Sequence, residues 1–334
     1  MDLASTLGNL FTDAATPLTQ RKNMTTSPTP QTDYDRGFER CVVTFIDILG
    51  YRNLLNKMHA EALVKIVNAL RGFTAGDAND EEPPRRMKDH RLYTQSFSES
   101  VSDAIVRVRT VDTQSQDGPF VHELIDLMHA TIECVSRGIL IRGGMTIGPV
   151  HVGLDGKGPI FGNGMVRAYK IEEEEAVYPR IMIDDEALET YLTDPALWND
   201  GEQDGYEAAL AMRFIGVAED GSHFVDYLRA AGPGEFDAGV AGHFEFLLRH
   251  KKLIVDNLSN ADAKARRKLV WLANYHNRYV SDLRGSYDMD DPNGVFYAEL
   301  ETTPPEMFDS LVVEGDWTNL LARLAEIAGD AEPE

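Results

Sequence analysis

The stretch "RCVVTFIDILGY", residues 40–51, decides how this chain is read. From Cys41 to Ile46 it is apolar and rich in β-branched residues, which predicts a buried strand. Asp47 interrupts the run near its end, Gly50 supplies a turn, and Leu54, Leu55, Leu63, Ile66, Val67, Leu70 and Phe73 follow at helical spacing. A strand, a tight turn and a helix together put one carboxylate at the mouth of a sheet. Two readings of Asp47 stand at this point. It caps the following helix, or it holds something at the strand's end.

Working outward, "YTQSFSESVSDAIVRVR" at 93–109 reads as two short strands around a polar bend at Glu99–Asp103. Phe120, Val121, Leu124, Ile125, Met128, Ile132 and Val135 mark an amphipathic helix. "GILIRGGMTIGPVHVG" at 138–153 reads as a strand pair interrupted by glycines, and "FGNGMVRAYKIEEEEA" at 161–176 as a loop that becomes a helix. "PRIMID" at 179–184 is again a strand. The order is β-α-β-β-α-β-β-α-β, an α+β pattern with helices covering one sheet. After about residue 185 the pattern changes to a short strand around "HFVDYL" and long helices at 242–257 and 262–283.

Residues 1–37, with "NMTTSPTPQTDYD", read as a disordered leader; 191–325 read as a mainly helical extension packed on the core, and 326–334 as an acidic tail. A net charge of −23 over 334 residues argues against nucleic acid or an anionic membrane as partner. It also requires local cations or metal wherever a phosphate is bound. The two cysteines, Cys41 and Cys134, give no disulfide framework and point to a reducing cytoplasm. No run approaches the roughly 20 apolar residues of a membrane span.

Asp47 and Asp103 can lie side by side at one sheet edge. Paired carboxylates repel unless a cation joins them, and oxygen ligands suit Mg²⁺ or Mn²⁺. The Ile48 carbonyl offers a third oxygen. The amides of Leu49, Gly50, Tyr51 and Arg52, turning into a helix N-terminus, form a cradle for a triphosphate. The competing reading makes Asp103 an ordinary turn residue. Tyr51 either lies near the nucleotide or packs on the first helix, and Arg52 either reaches phosphate or is an exposed helix arginine. The run Glu172–Glu175 reads as a solvated helix face, and Arg180 as its structural partner. Trp271, Tyr275 and Tyr279 recur at i, i+4, i+8 as a packing stripe, with His276 structural.

The blocks F-x-D-I-x-G-Y at 45–51, "ESVSDAIV" at 99–106 and "IRGGMTIGPVHVG" with "GPIFGNGMVRAYKIE" resemble, in that order, the class III nucleotidyl cyclases. With "AVYPRIMID" and "RRKLVWLANYHNRYV" the sequence is similar above all to the Pycsar pyrimidine cyclases of bacterial antiphage defence. The resemblance covers roughly residues 40–285 and implies a cyclase domain over 38–190. It implies a ferredoxin-like βαββαβ core and a homodimer with active sites between subunits. Asp47, Ile48 and Asp103 would hold two Mn²⁺ or Mg²⁺ ions on a nucleoside triphosphate. The ribose 3′-oxygen would then attack the α-phosphorus and expel pyrophosphate.

The departures from the family pattern concern the base. By the resemblance, Glu99 stands where one purine reader stands, but its partner position is Pro159, whose side chain neither donates nor accepts a hydrogen bond. The asparagine and arginine of the family's N-x-x-x-R fall on Val166 and Lys170; Arg167 or Arg142 could compensate. In a shifted register Glu99 would instead be the second metal ligand. UTP is thus the expected substrate, CTP the alternative, then GTP or ATP, and a degenerate nucleotide-binding dimer is the non-catalytic reading. The cyclic nucleotide would act on a separate effector.

Overall fold

The computed structural model describes residues 37–73, 93–101, 104–152, 159–199, 205–285 and 303–315. β1 (Glu39–Ile48) pairs antiparallel with β3 (Ala104–Thr110) on one side and with β4 (Ile141–Val152) on the other. β2 (Ser96–Val101) lies antiparallel beyond β3. Between β1 and β2 the chain forms α1 (Tyr51–Lys57) and α2 (Ala60–Phe73), and between β3 and β4 it forms α3 (Pro119–Ser136). The short β5 (Ile160–Phe161) pairs with the end of β4, and α4 (Asn163–Lys170) follows at once. β6 (Ile181–Ile183) then joins β4 in parallel. The protein is a mixed α+β fold on a mixed sheet; up to β6 it departs from the expected order in having two helices, α1 and α2, where one was expected, and in forming β5 at residues 160–161 rather than within 138–153.

β1 lacks polar alternation because both of its faces are covered. Val42, Ile46 and Ile48 meet Leu70 of α2 and Phe120, Leu124 and Leu127 of α3 in one core. Cys41, Val43 and Phe45 join Phe97, Val106 and Val108 in a second, smaller core against Ala168 and Met165 of α4. Asp47 belongs by alternation to the α4 face. On the α3 face, Arg107 and Arg109 of β3 are buried against Glu123. Arg107 Nε donates to Glu123 Oε1 at 3.0 Å and Arg109 Nε to Oε2 at 3.3 Å. Both arginines also reach Asp126, and Thr44 donates to Glu123. Burial raises the pKa of Glu123, but the two arginines outweigh it and hold the carboxyl below its ordinary range.

Two sequence expectations change here. "GILIRGGMTIGPVHVG" is not an interrupted pair, since β4 runs unbroken for 12 residues. Its glycines serve close packing: a Cβ at Gly148 would lie 2.7 Å from Gly164 Cα, and one at Gly144 would lie 2.5 Å from the Ala168 carbonyl oxygen. Helix α4 therefore rests directly on the strand. Glu99, expected in the bend, sits inside β2 opposite Val106.

Beyond β6 come α5 (Asp185–Thr193), α6 (Tyr206–Phe214), β7 (Ile215–Val217), β8 (His223–Val225) and α7 (Tyr227–Ala230). β8 pairs with β6 and β7 with β8, so this later part extends the same sheet, whose strand order is β2-β3-β1-β4-β6-β8-β7. The two long helices are α8 (Gly239–Leu258) and α9 (Ala263–Gly285), and α10 (Pro305–Leu311) packs with them. Phe244, Leu247, Leu272, Tyr275 and Val280 belong to the main core, with Trp271 and Tyr279 packed on it, as the stripe predicts. Among the described residues no helix is long and apolar enough to cross a membrane.

A directional chain of hydrogen bonds fastens these helices together. His276 Nε2 lies 2.9 Å from the Leu311 carbonyl oxygen, which can only accept, so Nε2 carries the proton. His276 Nδ1 then accepts from His250 Nδ1 at 2.9 Å, and His250 Nε2 accepts from the Tyr227 hydroxyl at 2.7 Å. Both rings are neutral, and a second proton on either would break the chain. Burial pushes the His276 pKa down to about 4, against 6.5 in the unfolded chain. Between those values the unfolded state binds the extra proton and the folded state does not, so stability falls as pH drops. The loss from His276 reaches about 3 kcal/mol by pH 4. Thermal melts from pH 8 to 4 should therefore show a steeper acid decline for the wild type than for His276→Gln; equal slopes would refute the latch.

Candidate functional site

Asp47 is the penultimate residue of β1, opposite Ala104 in β3 and Arg142 in β4. Ala104, which directly follows Asp103 in sequence, thus lies beside Asp47. Asp103 itself lies outside the described residues. The turn after β1 is made by Gly50, in the left-handed region at φ 82°, and Gly50 rather than Asp47 is the N-cap of α1. The carboxylate of Asp47 meets Arg142, whose Nη2 and Nε lie 3.3 and 3.4 Å from Oδ2.

Arg142 is the hub of this end of the sheet. Its Nη2 pairs with Glu172 Oε1 at 2.6 Å, and its Nη1 donates to the carbonyl oxygens of Ala176 and Glu172 at 3.3 and 3.4 Å. Glu172 lies in a π-helical turn, Ile171–Glu175, that continues α4. At 3% exposure Glu172 is not part of a solvated face, which corrects the sequence reading; Glu173, Glu174 and Glu175 are exposed as expected. The Arg142–Glu172 contact is a close ion pair, and Asp47 accepts two longer hydrogen bonds from the same guanidinium.

Sequence reasoning missed Lys268. This half-buried lysine of α9 has a depressed pKa, chiefly through burial and then through the charges of Arg142 and Lys264; Asp47 and Glu172 oppose the shift. A fourth charged group therefore stands in the field of the Asp47 end. A single lysine more than two hundred residues downstream, inside the basic run "RRK", carries no spacing signal that ties it to Asp47.

On the same face Glu99 points to β5, where its Oε2 accepts from the Ile160 amide at 2.6 Å. Glu99 is thereby brought to the residue after exposed Pro159, so the two positions singled out for base reading are neighbours. Along α4, Val166, Tyr169 and Lys170 form one outward stripe, with Val166 53% and Tyr169 42% exposed. The Tyr169 ring meets Phe45 edge-on at 5.3 Å between centroids.

Of the proposed cradle, the Leu49 amide is already committed to the Leu140 carbonyl oxygen at 2.8 Å. Tyr51 packs against the main core, and Arg52 stands in the first turn of α1. The opening amides of a helix have no intrahelical acceptor, so the remaining cradle positions keep donors available for an anion. Among the described residues no three His, Cys, Asp or Glu side chains gather where they could hold a metal ion. Asp47 and the Ile48 carbonyl are hard oxygen donors of the kind Mg²⁺ and Mn²⁺ prefer.

Arg167 does not face the Asp47 end. Its Nε and Nη2 fork onto Asp184 at 2.9 and 2.8 Å, and Thr146 donates to the same carboxylate at 2.7 Å. Those hydrogen bonds hold buried Asp184 below the ordinary carboxylate range against its desolvation. Arg180 does not pair with the acidic run; its nearest carboxylate is Asp220 at 3.8 Å. No protein-family model and no curated protein matches the sequence.

The fork gives Arg167 a structural duty that can be separated from a catalytic one. Arg167→Ala strands a buried carboxylate and should lower stability by about 1–3 kcal/mol, with Asp184→Asn restoring part of it in the double variant. An Arg167→Ala protein with unchanged melting temperature would show that Asp184 does not depend on this arginine.

Proposed function

We propose that the protein is a homodimeric, metal-dependent nucleotidyl cyclase that converts UTP to cyclic UMP and pyrophosphate. The observation that carries this reading is the place of Asp47, at a strand end, beside the residue that follows Asp103 in sequence, and hydrogen-bonded by Arg142. The four strands β2-β3-β1-β4, mutually antiparallel and with α2 and α3 on one face, support a ferredoxin-like core.

Asp47, the Ile48 carbonyl and Asp103 would hold Mn²⁺ or Mg²⁺, which supplies positive charge on the triphosphate and lowers the pKa of the 3′-hydroxyl. The chain's own residues orient the substrate. Amides at Gly50–Arg52 receive phosphate oxygens, and the ribose 3′-oxygen lies in line with the bond to pyrophosphate. The 3′-hydroxyl gives up its proton to solvent as its oxygen bonds to the α-phosphorus and the bond to the bridging oxygen breaks, and the electron pair leaves with pyrophosphate. Positioning and charge stabilisation suffice for such a displacement. The stripe of Val166, Tyr169 and Lys170 is exposed along α4, which supports a second subunit receiving it. Lys170 then offers its ammonium to the partner's phosphates.

The base preference rests on Glu99 and Pro159. One Glu99 oxygen is occupied by the Ile160 amide, and Pro159 presents no hydrogen-bonding side chain, so a purine lacks a complete reader. CTP is the second substrate, GTP and ATP follow, and the degenerate binding module is the non-catalytic competitor. A cytoplasmic role in antiphage signalling, through a separate effector, follows from the same resemblance.

Incubating the purified protein with each of the four triphosphates and Mn²⁺, then separating products by chromatography and mass, decides among these. Cyclic UMP should dominate. Cyclic GMP or cyclic AMP as the main product would overturn the pyrimidine assignment, and no product from a folded dimer would favour the binding module. Asp47→Asn should abolish turnover while leaving the melting temperature within a few degrees of wild type. Turnover by that variant equal to wild type would remove the metal site.

A further inference from the structure

A second concave site lies at the same end of the sheet, two strands beyond Asp47. The Arg180 carbonyl accepts from the Gly143 amide at 3.1 Å, so the start of β6 stands next to the residue after Arg142. There α9 crosses the sheet and leaves a cleft of about 810 Å³, within the range of small-molecule sites. One wall is aromatic. Tyr178 stacks on Trp271 with centroids 5.1 Å apart and planes at 14°, and Trp271 on Tyr275 at 5.4 Å and 15°.

The charge of the cleft runs against that of the whole chain. Arg180, Arg266, Arg267 and Arg278 line it, with Glu219 and Asp220 as its carboxylates. Four cations against two anions leave it net positive in a protein of net charge −23. Arg180 is fixed in place: its guanidinium lies 5.3 Å from the Trp271 centroid and 5.4 Å from those of Tyr178 and Phe224. Its Nη2 donates to the Ser222 hydroxyl at 3.4 Å, and its Nε and Nη1 meet no polar acceptor among the described residues. Rings hold this cation, and the nearest carboxylate is a loose, largely exposed Asp220. Glu219, more exposed still, meets Arg278 at 3.4 Å. Both carboxylates can give way to a stronger anion at small cost.

We propose that this cleft is a binding site for a phosphorylated flat-ring molecule of nucleoside monophosphate size, separate from the Asp47 end. The ring lies along the Tyr178–Trp271 wall, Asn274 offers both a donor and an acceptor to its edge, and Arg267 and Arg278 receive the phosphate. Helix α9 carries these residues on one side and Lys268, within the field of Asp47, on another.

The test is calorimetric titration of the full chain in EDTA with UMP, AMP, uridine and inorganic phosphate. One monophosphate should bind per chain, more tightly than uridine or phosphate alone. Arg278→Ser and Asn274→Ala, both on α9, should each weaken it by about ten-fold with the melting temperature kept, while Asp47→Asn binds as wild type. No binding of either monophosphate at millimolar concentration would overturn the proposal. So would phosphate binding as tightly as UMP and AMP, full affinity in Arg278→Ser, or loss of binding in Asp47→Asn, which would place the ligand at the other site.

Discussion

The arrangement depends on a steric permission: helix α4 lies on β4 at backbone contact. Only glycine at 144, 148 and 164 allows this, because an added Cβ at any of them would fall within about 3 Å of a neighbouring atom. From that approach the rest follows. The π-helical turn at the end of α4 is brought to the start of β4, where Glu172 meets Arg142. Arg167, on the flank of the helix, reaches Asp184 after β6. Val166, Tyr169 and Lys170 are left facing outward. Alanine at Gly144 or Gly148 would lift the helix and disturb all three at once.

Electrostatics then separates fixed charges from exchangeable ones. The Arg107–Arg109–Glu123 cluster is buried, with Glu123 contacted by both arginines and by Thr44, so it welds β3 to α3. Arg167 and Asp184 are matched by a bidentate fork in the same way. Asp47 differs. It shares Arg142 with Glu172 and accepts two hydrogen bonds from that guanidinium, at 3.3 and 3.4 Å. On the proposed reading, a cation bound at Asp47 does not leave Arg142 unpaired, since Glu172 stays 2.6 Å from its Nη2.

Much of this was legible in the chain. The strand of residues 40–48, the helix after Gly50, the long C-terminal helices and the packing stripe through Tyr275 follow from local pattern, which depends on neighbours a few residues away. The failures share one cause. Glycines in "IRGGMTIG" read as breaks because a sequence does not show the helix that needs their missing side chains. Glu172 read as solvated because its partner, Arg142, is thirty residues distant and the π turn that buries it has no signature in four consecutive glutamates. Lys268 and the aromatic cage of Arg180 depend on α9 crossing the sheet, a tertiary fact with no local trace. Asp47 was recognisable because the strand, turn and helix that display it are contiguous.

On the proposed reading, specificity is decided by what the base cannot find. A carboxylate that reads guanine must accept from the base's own N–H groups, yet Glu99 already spends an oxygen on the Ile160 amide, a bond that ties β2 to β5. Recruiting Glu99 for a purine would loosen that tie or divide the carboxylate between two partners. Pro159, immediately before Ile160, fixes the backbone there and removes the one nearby side chain that could complete the reader. A smaller ring avoids the conflict, because it does not extend to the second half of a purine's recognition edge. The Glu99–Ile160 bond is then a structural tie, and discrimination against purines follows from its persistence.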